Sequence, residues 1–135
     1  MSQQEHLQTV KLIREALLRG DLPALLKFCT DDLEILPAAS EKVPWAHPWR
    51  GRKEVEQYFK MIASEIEFQE YETDEFIVGG NSVVVVGHER CLVRATKRVV
   101  EAKWVQIFDF RDGLVCRHRE YIDTAAWDAG FVSGQ

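Results

Sequence analysis

Residues 104–123 read WVQIFDFRDGLVCRHREYID, and the alternation on either side of Asp112-Gly113 decides what kind of sheet this chain builds. Asp-Gly between two alternating runs is a strong signal for a two-residue hairpin turn, because both residues tolerate the positive φ that such a turn requires. A two-residue turn pairs positions whose numbers sum to an odd value. Trp104, Gln106, Phe108 and Phe110 are therefore expected on one sheet face with Arg117, Arg119, Tyr121 and Asp123. A purely structural core would fill that face with aliphatic side chains, since an unpaired buried charge is costly. Aromatic walls carrying a few polar groups are what a ligand pocket needs.

Working outward, the runs 68–78, 82–95, 99–110 and 114–123 are separated by GGN, TKR and RDG, all compatible with tight hairpins, so four strands follow one another as an antiparallel meander. The TKR turn also gives odd-sum pairing, which adds Glu89 and Cys91 to the face of Trp104 and Gln106. Glu89 then falls near Arg119 across the central strand. A carboxylate beside a guanidinium stays ionised and is a poor base, which makes Asp123 the better candidate for proton transfer; its alternative role is to cap a helix beginning at Thr124. The opposite face is expected to carry His88 and His118 flanking Ile107, with Val84, Val86, Leu92, Val105 and Ile122. Two histidines roughly 10 Å apart, two strand spacings, are too distant to share a metal, and no HxxxH or facial triad occurs, so neither metal nor cofactor is expected. Half apolar and half charged, this outer face suits a homodimer interface.

Upstream of the strands the spacing changes to that of helices. Leu7, Val10, Ile13, Ala16 and Leu17 recur at helical intervals over 3–18, and Gly20 stands where a helix stops. Asp21 reads as the N-cap of a short helix through 28 with Pro23 in its first turn, ended by Asp31-Asp32; a strand is expected over 33–36. Residues 37–52 contain three prolines and no periodicity, which marks a loop. Its Trp45, His47 and Trp49 are expected at a cavity mouth, as rigid stacking surface or, for one tryptophan, as a plug. A third helix over 53–66 turns Val55, Tyr58, Phe59, Ile62 and Ile66 inward. Helices first and strands afterwards argue for an α+β fold, with the helices packed on a strongly curved, mainly antiparallel sheet that can enclose a pocket.

Composition bounds the function. With 135 residues, 46% of them hydrophobic, one domain with a real core is expected. A net charge of -5 lacks the positive footprint of nucleic-acid binding. Cys29, Cys91 and Cys116 are odd in number and show no CxxC spacing, which suits a reducing compartment. The start MSQQEHLQ is polar and no apolar run approaches a membrane span, so neither membrane nor secretion is indicated and a cytoplasmic location is expected.

The segments GDLPALLKFCTDDLEI, WRGRKEVEQYF and FRDGLVCRHREYIDTAAW make the chain resemble the SnoaL-like and ketosteroid-isomerase-like group of the nuclear transport factor 2-like superfamily. The resemblance covers nearly all of residues 1–135 as a single SnoaL-like domain. It implies a cone-shaped α+β barrel, commonly dimeric, with a pocket between sheet and helices; it does not imply one reaction, because the superfold hosts isomerases, cyclases, hydrolases and non-catalytic modules. The isomerase tyrosine aligns near Ile13 and its general-base aspartate near Leu36, neither able to move a proton, so steroid isomerisation is not expected. The second aspartate of that oxyanion hole, and the histidine that cyclase relatives often carry, both align at or near Gln106. The terminal REYID segment resembles the cyclases, whose acid or base carboxylate aligns with Asp123. Epoxide hydrolases of the superfamily use an Asp-Arg-Asp arrangement, for which Glu89, Arg119 and Asp123 are the matching residue types.

The expectation is thus a protein that binds an apolar, carbonyl-containing or aromatic small molecule between Trp104, Phe108, Tyr121, Glu89, Trp45, His47 and Trp49. Asp123 would move a proton, and Arg119 with Gln106 would stabilise oxyanion charge, in chemistry of cyclase, isomerase or hydrolase type. The alternative is a non-catalytic dimeric module for ligand sensing or interaction.

Overall fold

The structure is a computed structural model and describes residues 2–132. Helix α1, Gln3–Leu18, starts in a capping box in which Ser2 and Glu5 satisfy each other's backbone N–H groups. It ends where Gly20, at φ 73°, turns the chain so that Gly20 N donates to the Leu17 carbonyl and Asp21 N to that of Ala16, a left-handed closure that glycine adopts without penalty. Helix α2, Leu22–Leu26, is capped by Asp21. It stops five residues before Asp31-Asp32, which lie inside strand β1, Cys29–Ala38, far longer than 33–36. Both aspartates stay exposed and bind arginines, Asp31 with Arg52 at 2.8 Å and Asp32 with Arg111 at 2.6 Å, so their polarity does not oppose strand formation.

A two-residue strand β2, Trp49–Arg50, interrupts the proline-rich loop, and α3 spans Gly51–Glu65. Strands β3, Ile66–Gly79, β4, Ser82–Val93, β5, Val99–Arg111, and β6, Leu114–Ile122, form the meander, and α4, Thr124–Gly130, follows. The six strands lie in the order β2-β1-β6-β5-β4-β3, with β1 parallel to β6 and every other pair antiparallel. This is the expected α+β cone, with helices packed against the concave face of an unclosed sheet. Among the described residues no helix is long and apolar enough to cross a membrane.

The β5–β6 register departs from the expectation. Beside the turn, with Asp112 and Gly113 both at positive φ, the odd-sum pairs Arg111↔Leu114 and Phe110↔Val115 hold. A bulge then leaves Cys116 unopposed, and Asp109 pairs with Arg117, Phe108 with His118, Gln106 with Glu120 and Trp104 with Ile122. One extra residue exchanges the faces of everything beyond it. His118, Glu120 and Ile122 turn inward; Arg117, Arg119 and Tyr121 turn outward. The bulge has an evident physical reason. Asp109 on the outer face receives Arg117 at 2.8 Å, Arg119 at 3.0 and 3.1 Å and the Ser82 hydroxyl at 2.7 Å, contacts that bring both guanidinium groups over one carboxylate.

Candidate functional site

The cone encloses a cavity of about 280 Å³. Its walls are mostly apolar, supplied by Ile13 and Leu17 of α1, Leu33 and Ile35 of β1, Tyr58, Phe59 and Ile62 of α3, and Phe108 and Ile122 of the sheet. Leu18 and Phe68 line it and are also exposed, at 67% and 48%, so they mark its rim. Trp45 and Trp127 line it from the loop and α4, and are buried.

Into this apolar space the sheet and α1 project one connected polar group. Gln106 stands at its centre: its Nε2 donates to Glu120 Oε2 at 3.0 Å and to the Tyr71 hydroxyl at 2.7 Å, while its Oε1 accepts from Arg14 Nη1 at 3.4 Å. Glu89 lies in the same wall, bonded by Trp127 Nε1 at 3.3 Å. His118 completes the ring of polar residues; its ring sits 4.8 Å from Phe108, and its Nδ1 is buried with no hydrogen-bond partner among the described residues. A Cβ at Gly87 would collide with the Trp104 indole and the Glu72 carbonyl. The missing side chain is what lets Trp104 lie flat, stacked on Tyr71 at 5.1 Å, behind the polar cluster.

Burial tunes these groups. It lifts the Glu120 carboxyl to about 7, against the Gln106 bond that favours its ionised form. Burial, reinforced by the charge of Glu120, lifts Glu89 to about 8. Burial and then the Arg14 charge lower His118 to about 4, so at neutral pH its imidazole is uncharged. Tyr71 is pushed up to about 12, first by burial and then by Glu120. Two carboxyls titrating near neutrality in a mostly apolar cavity form a set that can give or take a proton at pH 7.

Arg14 is the exception to the pairing rule. It is 7% exposed, and among the described residues no carboxylate lies within ion-pair distance of it. Its Cζ lies 5.2 Å from the ring centres of Tyr71 and of Trp104. Two such contacts return about 1–2 kcal/mol each when desolvated, and burying an ion costs several kcal/mol. The protein alone leaves this guanidinium under-compensated.

Of the residues expected in the site, Gln106, Phe108, Glu89 and Trp45 line the cavity. Trp104 backs the wall at 2% exposure without lining it. Arg119, Tyr121 and Asp123 do not line it, because the bulge turns Arg119 and Tyr121 outward and the strand ends at Ile122. Arg119 binds Asp109 rather than Glu89, and Asp123 caps α4, accepting from Ala126 N at 3.1 Å. Trp49 is buried against Tyr58, its Nε1 donating to the Trp45 carbonyl at 3.0 Å, and the exposed His47 packs on Trp49. The loop is thus part of the core, and the rim lies elsewhere. On the outer face His88 bridges Glu70 and Asp74, while His118 and Ile122 have left that face for the cavity. Arg14, Tyr71, His118 and Glu120 are polar cavity residues that the sequence pattern did not bring forward, whereas Tyr58 lines the cavity as its helical spacing predicts. No cluster of three or more potential metal ligands occurs among the described residues.

A curved sheet wrapped on helices, with ionisable residues inside its cone, defines a class, and residues 10–118 match the SnoaL-like domain, so the chain belongs to that family within the nuclear transport factor 2-like superfamily. Among solved structures it is similar to an NTF2-like protein from Burkholderia xenovorans, 32% identical over 98% of this chain and 99% of that one, with a TM-score of 0.90. An NTF2-like protein of unknown function from Burkholderia pseudomallei is 26% identical over 98% and 100% of the two chains, with a TM-score of 0.85. A candidate SnoaL-like polyketide cyclase from Mesorhizobium loti shares the fold at 20% identity, over 90% and 99%, with a TM-score of 0.74. No curated protein matches the chain in sequence.

Proposed function

We propose that the protein binds an apolar, carbonyl-containing or aromatic small molecule in the cone and carries out acid/base chemistry on it, with Glu120 as the group that moves the proton. The observation that carries this reading is Glu120 itself: a carboxyl in a mostly apolar cavity, oriented by Gln106 Nε2 at 3.0 Å and tuned by burial to about 7. In its ionised form it would take a proton from a carbon or oxygen acid beside a carbonyl, and in its neutral form return one. Gln106 holds it in place, and Glu89, protonated at neutral pH, can donate a hydrogen bond to a developing oxyanion. The role first sought in Asp123 belongs, on this reading, to the residue three positions earlier.

The test is a paired substitution. Glu120→Gln should lower turnover of any substrate found for the protein by about 10²- to 10⁴-fold, the usual weight of general acid/base catalysis, while leaving ligand affinity nearly intact. Asp123→Asn should leave turnover unchanged. The reverse pattern would return the chemistry to Asp123.

The alternative, a non-catalytic dimeric module, draws on the outer sheet face, where Val84, Val86, Val105 and Ile107 are only half-buried. Homodimerisation there is compatible with either reading. Ile107→Glu would set like charges against each other across a twofold axis and should give monomers in sedimentation; an unchanged dimer would exclude this surface.

A further inference from the structure

We infer that the ligand of this cavity is an acid: an apolar or aromatic skeleton bearing a carboxylate, which pairs with Arg14. The inference rests on the reading that the cone binds a small molecule, and names the chemistry of what it takes. A guanidinium keeps its proton, and its planar fork fits a carboxylate through two parallel hydrogen bonds. Arg14 lines the cavity, is 7% exposed, and among the described residues holds one long side-chain hydrogen bond, 3.4 Å to Gln106. The Tyr71 and Trp104 rings fix its position without neutralising it.

Most of the cavity's other ionisable groups do not oppose an incoming anion at neutral pH. Burial keeps Glu89, at about 8, mostly protonated, and leaves His118, whose buried Nδ1 has no partner among the described residues, uncharged. Glu120, at about 7, is half-ionised there, and an anion paired with Arg14 drives it further toward its neutral form. The remaining lining is mostly apolar, so the rest of the molecule must be hydrocarbon-like. A positively charged end in an apolar cone selects for an amphiphilic acid over a neutral lipid or a sugar.

The experiment compares 2-naphthoate with its neutral isostere 2-naphthamide, by calorimetric titration at pH 7, on the wild-type protein, Arg14→Gln and Arg14→Lys. The wild type should prefer the carboxylate by at least about tenfold in Kd, as a charge-assisted bidentate pair requires. Arg14→Gln should erase that preference while changing amide affinity by less than about threefold, and Arg14→Lys should keep part of it. Arg14→Gln should also melt at or above the wild-type temperature without ligand, because it removes an under-compensated buried charge. Equal affinity of the wild type for both probes would overturn the acid preference while leaving the cavity reading standing. Failure of both probes to bind would overturn the cavity reading and the acid preference together. A fall in the melting temperature of Arg14→Gln beyond about 5 °C would make Arg14 a structural brace and overturn the inference. The wild-type comparison and Arg14→Lys decide the matter should Arg14→Gln not fold.

Discussion

The convex face of strands β4 to β6 and the cavity on their concave side treat ionisable groups in opposite ways. On the convex face Asp109 is held by Arg117, Arg119 and Ser82, and His88 by Glu70 and Asp74. On the concave side, among the described residues, Glu120 of β6 meets an amide, Glu89 of β4 an indole N–H, and Arg14, reaching in from α1, an amide and two rings. Charges that serve the fold are paired; charges left unpaired inside an apolar cone cost stability, and the proposed function is what would offset that cost. On the proposed reading, this difference separates structural from functional residues more cleanly than residue type does.

Removing a paired charge should therefore cost most in stability. Asp109→Ala strands Arg117 and Arg119, and should lower unfolding stability by about 2 kcal/mol in urea denaturation, less than a fully buried network would lose because both arginines are partly exposed. Ligand affinity should not change. A loss under about 0.5 kcal/mol would show that the bulge is held by something other than this network.

The concave face should show itself in the pH dependence of stability. Glu120 and Glu89 are raised in the folded state, so the native protein holds protons that the unfolded chain releases from about pH 4.5 upward. Their contribution is fully present below that pH and is lost as pH rises through about 7 and 8. His118, lowered to about 4, works the other way, its penalty disappearing between about 4 and 6.5, and the raised His88 adds to the loss above 6.5. His118 offsets one of the two glutamates up to about pH 6.5, so the fall in stability should be shallow from about 4.5 and steepest between about 6.5 and 7. Glu89→Gln and Glu120→Gln should each flatten that fall, read as melting temperature against pH. A slope unchanged by both substitutions would contradict the tuning.

The smallest effect is assigned to the residue that alternation put forward as the base. Asp123→Ala should cost about 1 kcal/mol, the value of an N-cap, through the lost bond to Ala126 N. A change in ligand affinity would put Asp123 back at the site.

The sequence made the meander, the helix order and the Asp112-Gly113 turn legible, because each rests on local periodicity or on a turn with special φ requirements. The inward placement of Glu89, Gln106 and Phe108 followed from it as well, since the β4–β5 pairing is regular from Ser82↔Asp109 to Leu92↔Val99. The β6 face did not follow, because one unopposed residue, Cys116, reverses it and an alternating string does not announce a bulge. Arg14 was hidden differently. It stands four residues after Val10 and three before Leu17, on the apolar stripe of α1, but a charged residue is passed over when a stripe is read from its apolar members alone. Trp45 and Trp49 are expected at a cavity mouth, one of them as a plug, and both are buried, because a proline-rich stretch without periodicity gives no sign of how deeply it packs.

The central claim is that Glu120 stands in the apolar cone, and it is tested most directly by following the carboxyl carbon of Glu120 by 13C NMR from pH 3 to 10, with Glu120→Gln providing the assignment. The account predicts a midpoint of about 7. A midpoint near the ordinary glutamate value of roughly 4.3 would mean that Glu120 is solvated or paired, and would contradict it.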